Sequence, residues 1–285
     1  MFPKAVDQHK PDKPLVPNGL GVIYVIASAV YLFILQSYYN DSNPSFSSAA
    51  LALAVCVLFG GFLGLLDDWM SLRWRYKAFL PLFAALPLAV MREALHPAST
   101  SMATYIFGKV DFGIYFYIII IPIIVTVTTN VVNQLGGLNG LETICPSIIL
   151  LGLMAKSGSS ALLYALPLAV YVAIAVFNFR GKIFVGNTGT FAVGISLASF
   201  ALISNVEQTL LISILPYIFN ASLILLNFFL FRTTAKLILD GNKLCSEHKR
   251  SLLTLIANYR PLTERKLVAV VAVIFAVFTL IAVLV

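Results

Sequence analysis

Charge is what this sequence has least of. Asp, Glu, Lys and Arg together make up 11% of its 285 residues, against about 25% in a soluble domain. That shortage, with 60% hydrophobic residues and a mean hydropathy of +0.93, excludes an ordinary soluble globule and indicates an all-α polytopic membrane protein. Cysteine is scarce too. Cys56, Cys145 and Cys245 lie far apart with no CxxC spacing, which argues against a disulfide framework or a thiolate zinc site and leaves packing as their role. His9, His96 and His248 are equally dispersed, so neither a histidine metal site nor a nucleophilic triad is indicated. Ionisable residues are nearly missing from the interiors of the apolar runs, and no internal repeat is visible. Both absences argue against a transporter, which places polar groups in broken helices at mid-membrane.

What the chain does have is apolar runs. A membrane helix needs about 20 such residues, and nine runs are candidates: 19–36, 47–66, 78–91, 112–129, 141–156, 161–179, 188–204, 209–230 and 267–285. The first fifteen residues are too polar for a cleaved signal, so the N-terminus is expected in the cytoplasm. Alternating spans then make 1–18, 67–77, 130–140, 180–187 and 231–266 cytoplasmic, and these segments hold 16 of the 19 Lys and Arg. Only Arg92, Lys109 and Lys156 fall outside, a strong positive-inside bias. The net charge of +7 is therefore mostly a topology signal. It does not call for nucleic acid, although it also suits an anionic substrate. The chain reads as one membrane domain over 1–285, with a tail (1–18), a basic loop (231–266) and a last span (267–285). In the outer loops, Asn40-Asp41-Ser42 fits a glycosylation acceptor, and Thr104 to Phe112 alternates around Gly108 as a small β-hairpin would.

The unusual polar stretches all fall on the cytoplasmic side. An apolar run ends at Asp67-Asp68, and Arg73, Trp74, Arg75 and Lys77 follow. An ionised Asp at the bilayer centre costs about 3 kcal/mol, so the pair belongs at an aqueous mouth, where it can meet a metal or a phosphorylated molecule. The tail, with Asp7, Lys10 and several prolines, is either solvated or folds back over a cytoplasmic site. Asn130 to Glu142 has no cation but three asparagines and three glycines, which suits either a capped turn or close backbone approach to a ligand with Asn carbonyls as donors. Gly186-Asn187-Thr188-Gly189 opens a helix, and such a start is either a simple cap or a site for an anion or metal-bound water. The basic loop either attracts anionic headgroups or binds phosphates, and Leu252, Leu253, Leu255 and Ile256 suggest a short amphipathic helix against the membrane. Pro261 and Thr263 can start the last span.

Taken in order, Asp7-x-x-Lys10 with Pro17, Asp67-Asp68 with Leu72-Arg73-Trp74-Arg75-x-Lys77, Asn130-x-x-Asn133 with Gly137 to Glu142, and Phe184-Val185-Gly186-x-Thr188 resemble the polyprenyl-phosphate N-acetylhexosamine-1-phosphate transferases. Within them the chain is most similar to the eukaryotic and archaeal UDP-GlcNAc:dolichyl-phosphate branch. The resemblance implies transfer of GlcNAc-1-phosphate from UDP-GlcNAc to a polyprenyl or dolichyl phosphate, with release of UMP, as a first step of lipid-linked glycan assembly. It implies Mg2+, with Mn2+ as an alternative, and a site at the cytoplasmic face of the cell membrane or endoplasmic reticulum; a homodimer stays open. By position, Asp67, Asp68 and Lys77 match the catalytic group and Asn133 and Asn187 the metal ligands. Asp7, Lys10, Trp74, Asn139, Phe184, Arg232 and Lys236 match substrate-binding positions. The family usually carries Asp where this chain has Asn187, which removes a charge from the metal and leaves Asp68 to compensate. It also generally has one more helix before the tail, so a late start and a nine-span form both stay open. Another UDP-N-acetylhexosamine, or a non-catalytic carrier of nucleotide sugar or lipid, are the alternative functions.

Overall fold

The computed structural model describes residues 2–95, 100–104 and 108–285. The chain opens with a hairpin of β1 (Lys4–Val6) and β2 (Leu15–Pro17), in which Ala5 pairs with Val16. Helices α1 (Gly21–Tyr39), α2 (Pro44–Met70), α3 (Trp74–Phe79) and α4 (Pro81–Leu95) follow. A second hairpin, β3 (Ser101–Thr104) with β4 (Gly108–Asp111), leads through a π-turn at Phe116–Ile120 into α5 (Ile121–Gln134) and α6 (Leu141–Lys156). A 3-10 segment, Gly158–Tyr164, precedes α7 (Ala165–Phe179); then come α8 (Gly186–Ile203), α9 (Glu207–Ser213) and α10 (Leu215–Phe231). The hairpin β5 (Ile238–Asp240) and β6 (Lys243–Cys245), α11 (Leu252–Tyr259) and α12 (Glu264–Leu284) complete the order.

The protein is a polytopic, all-helical membrane protein whose sheets are confined to three two-stranded hairpins among the described residues. Bilayer hydrocarbon offers no partner to a free backbone amide, so apolar runs become helices that satisfy their own N–H and C=O groups. Every one of the nine apolar runs is largely helical, but a count of nine full spans is not confirmed. Among the described residues six helices are long and apolar enough to cross, and α9 with α10, bent by 53° at their junction, make at most a seventh. Helix α4 has 15 residues and α6 has 16; at a rise of about 1.5 Å per residue both fall short of a hydrocarbon core of roughly 30 Å. The expected outer hairpin forms, with Thr104 opposite Gly108; its turn, like His96, lies outside the described residues.

Helix α8 is the hub, with 89% of its apolar window buried inside the protein. It packs on α1, α2 and α5, and glycines let the backbones close in. A Cβ on Gly64 would stand 2.2 Å from the carbonyl oxygen of Asn187, and one on Gly21 would stand 2.2 Å from Gly189 Cα. The start of α8 is thus seated against the C-terminal end of α2 and the N-terminal end of α1. The tail adds a strap: Phe184 N–H donates to the Pro17 carbonyl, and the Leu20 and Gly21 N–H groups donate to the Phe184 and Val185 carbonyls. So the first segment folds back onto the body, and Asp7 is 2% exposed. Helix α11 starts at a capping box of Ser251 and Thr254 and buries Leu252, Leu253 and Ala257. It packs on α10 and α12, so its apolar face is spent within the protein instead of on a membrane surface. Thr263 stands at the N-cap of α12 as expected, without a side-chain capping bond.

Candidate active site

Two carboxylates at the C-terminal end of a helix face its partial negative charge and each other. Asp67 and Asp68 escape that conflict in different directions. The left-handed Ser71 (φ 50°) ends α2, its N–H bonding the Asp67 carbonyl, and the turn brings α3 back so that Lys77 Nζ lies 2.8 Å from Asp67 Oδ2. Asp67 Oδ1 accepts the Leu72 N–H at 3.0 Å, and the residue is 2% exposed. Asp68 reaches the other way, to the N-terminus of α8. Its Oδ1 accepts the Asn187 N–H at 2.9 Å, and its Oδ2 accepts the Thr188 N–H at 2.9 Å and the Thr188 hydroxyl at 2.7 Å. The partial positive end of one helix therefore offsets the partial negative end of the other through a single side chain.

A cavity of about 320 Å³ opens beside this junction. Asp7, Asp68, Asn133, Phe184 and Asn187 line it, with Glu142, Thr190 and His9. Asn133 Oδ1 accepts the Thr190 hydroxyl at 2.6 Å, which ties the end of α5 to the first turn of α8. Glu142 Oε1 accepts the Gly137 N–H at 2.9 Å and shapes the Asn/Gly turn. Asn178 holds that turn against the 180–187 segment: its Oδ1 accepts the Gly140 N–H and its Nδ2 donates to the Ile183 carbonyl. Asn139 lies behind the wall, 3% exposed, donating to Asp7 and Glu264, and Lys10 is 3.5 Å from Glu264. A second cavity of about 190 Å³ shares His9 and is lined by Leu135, Asn220, Ile224, Leu237 and Leu253.

Seven of the residues singled out in the sequence do not line either cavity: Asp67, Lys77, Lys10 and Asn139, whose contacts are given above, and Trp74, Arg232 and Lys236. Trp74 is 53% exposed, edge-on to Phe229 and beneath the Arg75 guanidinium. Arg232 caps α10 in a left-handed conformation, and Lys236 is exposed on the strand leading to β5. Conversely, Thr188, Thr190, Glu142, Asn178 and Glu264 bind the site together although no role follows for them from the sequence. An acid in the first turn of a helix, as at Glu142 and Glu264, is the signal that was present.

The cavity's electrostatics are one-sided. Asp7, Asp68 and Glu142 line it, and no Lys or Arg does among the described residues. Both nearby lysines are engaged by carboxylates, Lys77 by Asp67 and Lys10 by Glu264. Left so, the wall repels a diphosphate. No three His, Cys, Asp or Glu side chains converge to cage a metal among the described residues. The donors present are hard oxygens, however: the Asn133 and Asn187 carbonyls and the one lone pair left on Asp68 Oδ1. That set fits Mg2+, which keeps waters and takes one or two carboxylates plus substrate phosphates.

The chain matches the family described as glycosyl transferase family 4 over residues 50–205, more than half its length. It belongs to that family. The family match takes in Asp67, Asp68, Lys77, Asn133, Asn139, Phe184 and Asn187, and leaves the tail and Glu264 outside it. Among relatives within the branch, a Sulfolobus acidocaldarius protein is 34% identical over 73% of this chain and 64% of its own length. One from Saccharolobus solfataricus is 31% identical over 98% of this chain and 86% of its own length. Both are provisionally named UDP-N-acetylglucosamine–dolichyl-phosphate N-acetylglucosaminephosphotransferase. A Dictyostelium discoideum protein that carries that name outright is 31% identical over 72% of this chain and 59% of its own length. The chain thus spans less than two thirds of the first and third of these relatives.

Proposed function

We propose that this member of glycosyl transferase family 4 transfers GlcNAc-1-phosphate from UDP-GlcNAc to a polyprenyl phosphate of the dolichyl type. The observation that carries the reading is the convergence of Asp68, Asn133 and the α8 N-terminus on one cavity, with the Asp67–Lys77 pair next to Asp68 on α2, in a chain similar to transferases of that name. In the reaction an oxygen of the lipid phosphate attacks the sugar-bearing phosphorus, the bond to the UMP oxygen breaks, and UMP leaves with that electron pair. The lipid phosphate is largely ionised near neutrality, so no side chain has to remove a proton first.

Positioning and charge then carry most of the work. Asn133, Asn187 and Asp68 would hold Mg2+, which would offset diphosphate charge in a wall otherwise acidic. Asp67 orients Lys77 at the mouth, where its ammonium meets the acceptor or donor phosphate, and Asp68 keeps the first turn of α8 in place. Phe184 and the Asn139 turn take the nucleotide. The sugar's acetamido group fits the smaller cavity, whose apolar walls suit a methyl and whose buried Asn220 Nδ2, without a hydrogen-bond partner, suits a carbonyl oxygen. The cytoplasmic placement of this end is supported by the 16 of 19 cations on its side.

The test is a membrane assay with radiolabelled UDP-GlcNAc and a polyprenyl phosphate. A divalent-dependent lipid product that disappears in Asp67→Ala is expected. UDP-GlcNAc binding without any product would favour a carrier instead, and competition by other UDP-hexosamines would reassign the sugar.

A further inference from the structure

Asn139 is clamped more tightly than a turn requires. Its backbone N–H and its side-chain Nδ2 both donate to Glu264 Oε1 at 2.8 Å, and Nδ2 also donates to Asp7 Oδ2 at 2.7 Å. Ionised carboxylates only accept, so the amide cannot be flipped: Nδ2 faces the two acids and Oδ1 faces away. That oxygen is buried and has no hydrogen-bond partner. It faces Gly181, where a Cβ would come 3.5 Å from Oδ1 and 3.1 Å from Lys10 Nζ. Gly137, Leu138 and Asp7, its neighbours in sequence or contact, line the larger cavity.

We infer that Glu264 is a positioning residue for nucleobase recognition. It fixes the Asn139 amide so that its one unspent valence is an acceptor, and an acceptor there selects a base edge that presents an N–H. Uracil does so at N3; cytosine presents a lone pair at that atom. A carboxylate on the last helix thereby sets which nucleotide the Asn/Gly turn accepts, without touching it. The second Glu264 oxygen faces the Lys10 ammonium at 3.5 Å, so the same residue ties the tail into the arrangement. The inference rests on the uridine-nucleotide donor proposed above.

Titration calorimetry of the purified full chain with UMP and with CMP tests it, alongside steady-state kinetics with UDP-GlcNAc. The wild type should prefer UMP. Glu264→Ala should lower that preference about tenfold, the scale of one charge-assisted hydrogen bond. It should also raise KM about tenfold while kcat stays within about threefold. Glu264→Gln, whose carbonyl oxygen still accepts from Asn139, should keep most of the preference. Equal losses of UMP and CMP affinity in Glu264→Ala would overturn the inference, because they mean that the residue only seats α12. A Gln variant as impaired in preference as the Ala variant would overturn it too. If the wild type bound neither nucleotide, the donor reading would fall and this inference with it; a failure confined to the variants leaves the donor reading standing.

Discussion

Asp68→Asn separates a structural carboxylate from a purely chemical one. In the native protein both oxygens of Asp68 accept from the first turn of α8: two backbone N–H groups and the Thr188 hydroxyl, at 2.7 to 2.9 Å. Asn keeps one acceptor oxygen and replaces the other by NH2, which turns a donor toward donors. At least one charge-assisted bond is lost, worth about 1.5 to 3 kcal/mol, along with a helix-terminus charge interaction worth roughly 0.3 to 1 kcal/mol. Asp68 is half-exposed to the cavity, so water recovers part of this, and a net loss of about 2 kcal/mol is expected. For a chain of this size that is roughly 4 to 8 °C in the apparent melting temperature in detergent. Thr188→Val, which removes one of the three donors, should cost less than half as much. The assay is thermal unfolding of both variants, each compared with wild type and followed by transferase activity. Asp68→Asn that melted within a degree of wild type while losing all turnover would refute the reasoning, since the carboxylate would then act on substrate alone.

Asn187→Asp adds a carboxylate close to Asp68 in a cavity that already holds Asp7 and Glu142. Without metal its apparent melting temperature should fall by a few degrees through like-charge repulsion, and Mg2+ should raise it at about tenfold lower concentration than in wild type; an unchanged Mg2+ midpoint would count against Asn187 as a ligand. Asn220→Leu removes the unpartnered amide but keeps the volume and leaves the Leu252 N–H without its acceptor. The preference for UDP-GlcNAc over UDP-glucose should fall about tenfold, and a preference that survives in a folded variant would remove the acetamido group from that cavity.

The membrane class, the helical runs and the polar end could be read from the sequence because each rests on local composition. Asp67-Asp68 announces itself by ending an apolar run, and the Asn/Gly turns by lacking cations. The number of spans could not be read so directly. Hydropathy marks where a helix is apolar but not whether 15 residues of it reach across, nor that α9 and α10 bend by 53°. Pairings across the chain were also hidden. Nothing local in Asp68 says that it will cap a helix 119 residues later, and nothing in Glu264 says that it will hold Asn139. Sequence also could not weigh the tail's two readings, because the strap from Pro17 to Phe184 exists only once α8 is in place. Trp74, Arg232 and Lys236 show the converse: cations and aromatics near a motif in sequence point wherever their own helix ends leave them.

The clamp on Asn139 also imposes an order of assembly. Its partners are 132 residues upstream and 125 residues downstream, so this wall is built from the tail, the Asn/Gly turn and α12. A ribosome delivers these in sequence, so the elements from α1 to α11 can take their places while Asn139 still lacks the carboxylate of α12. The clamp is thus completed only after α12 has been made, and a chain stalled short of residue 264 carries the cavity's acidic wall without the fixed amide behind it.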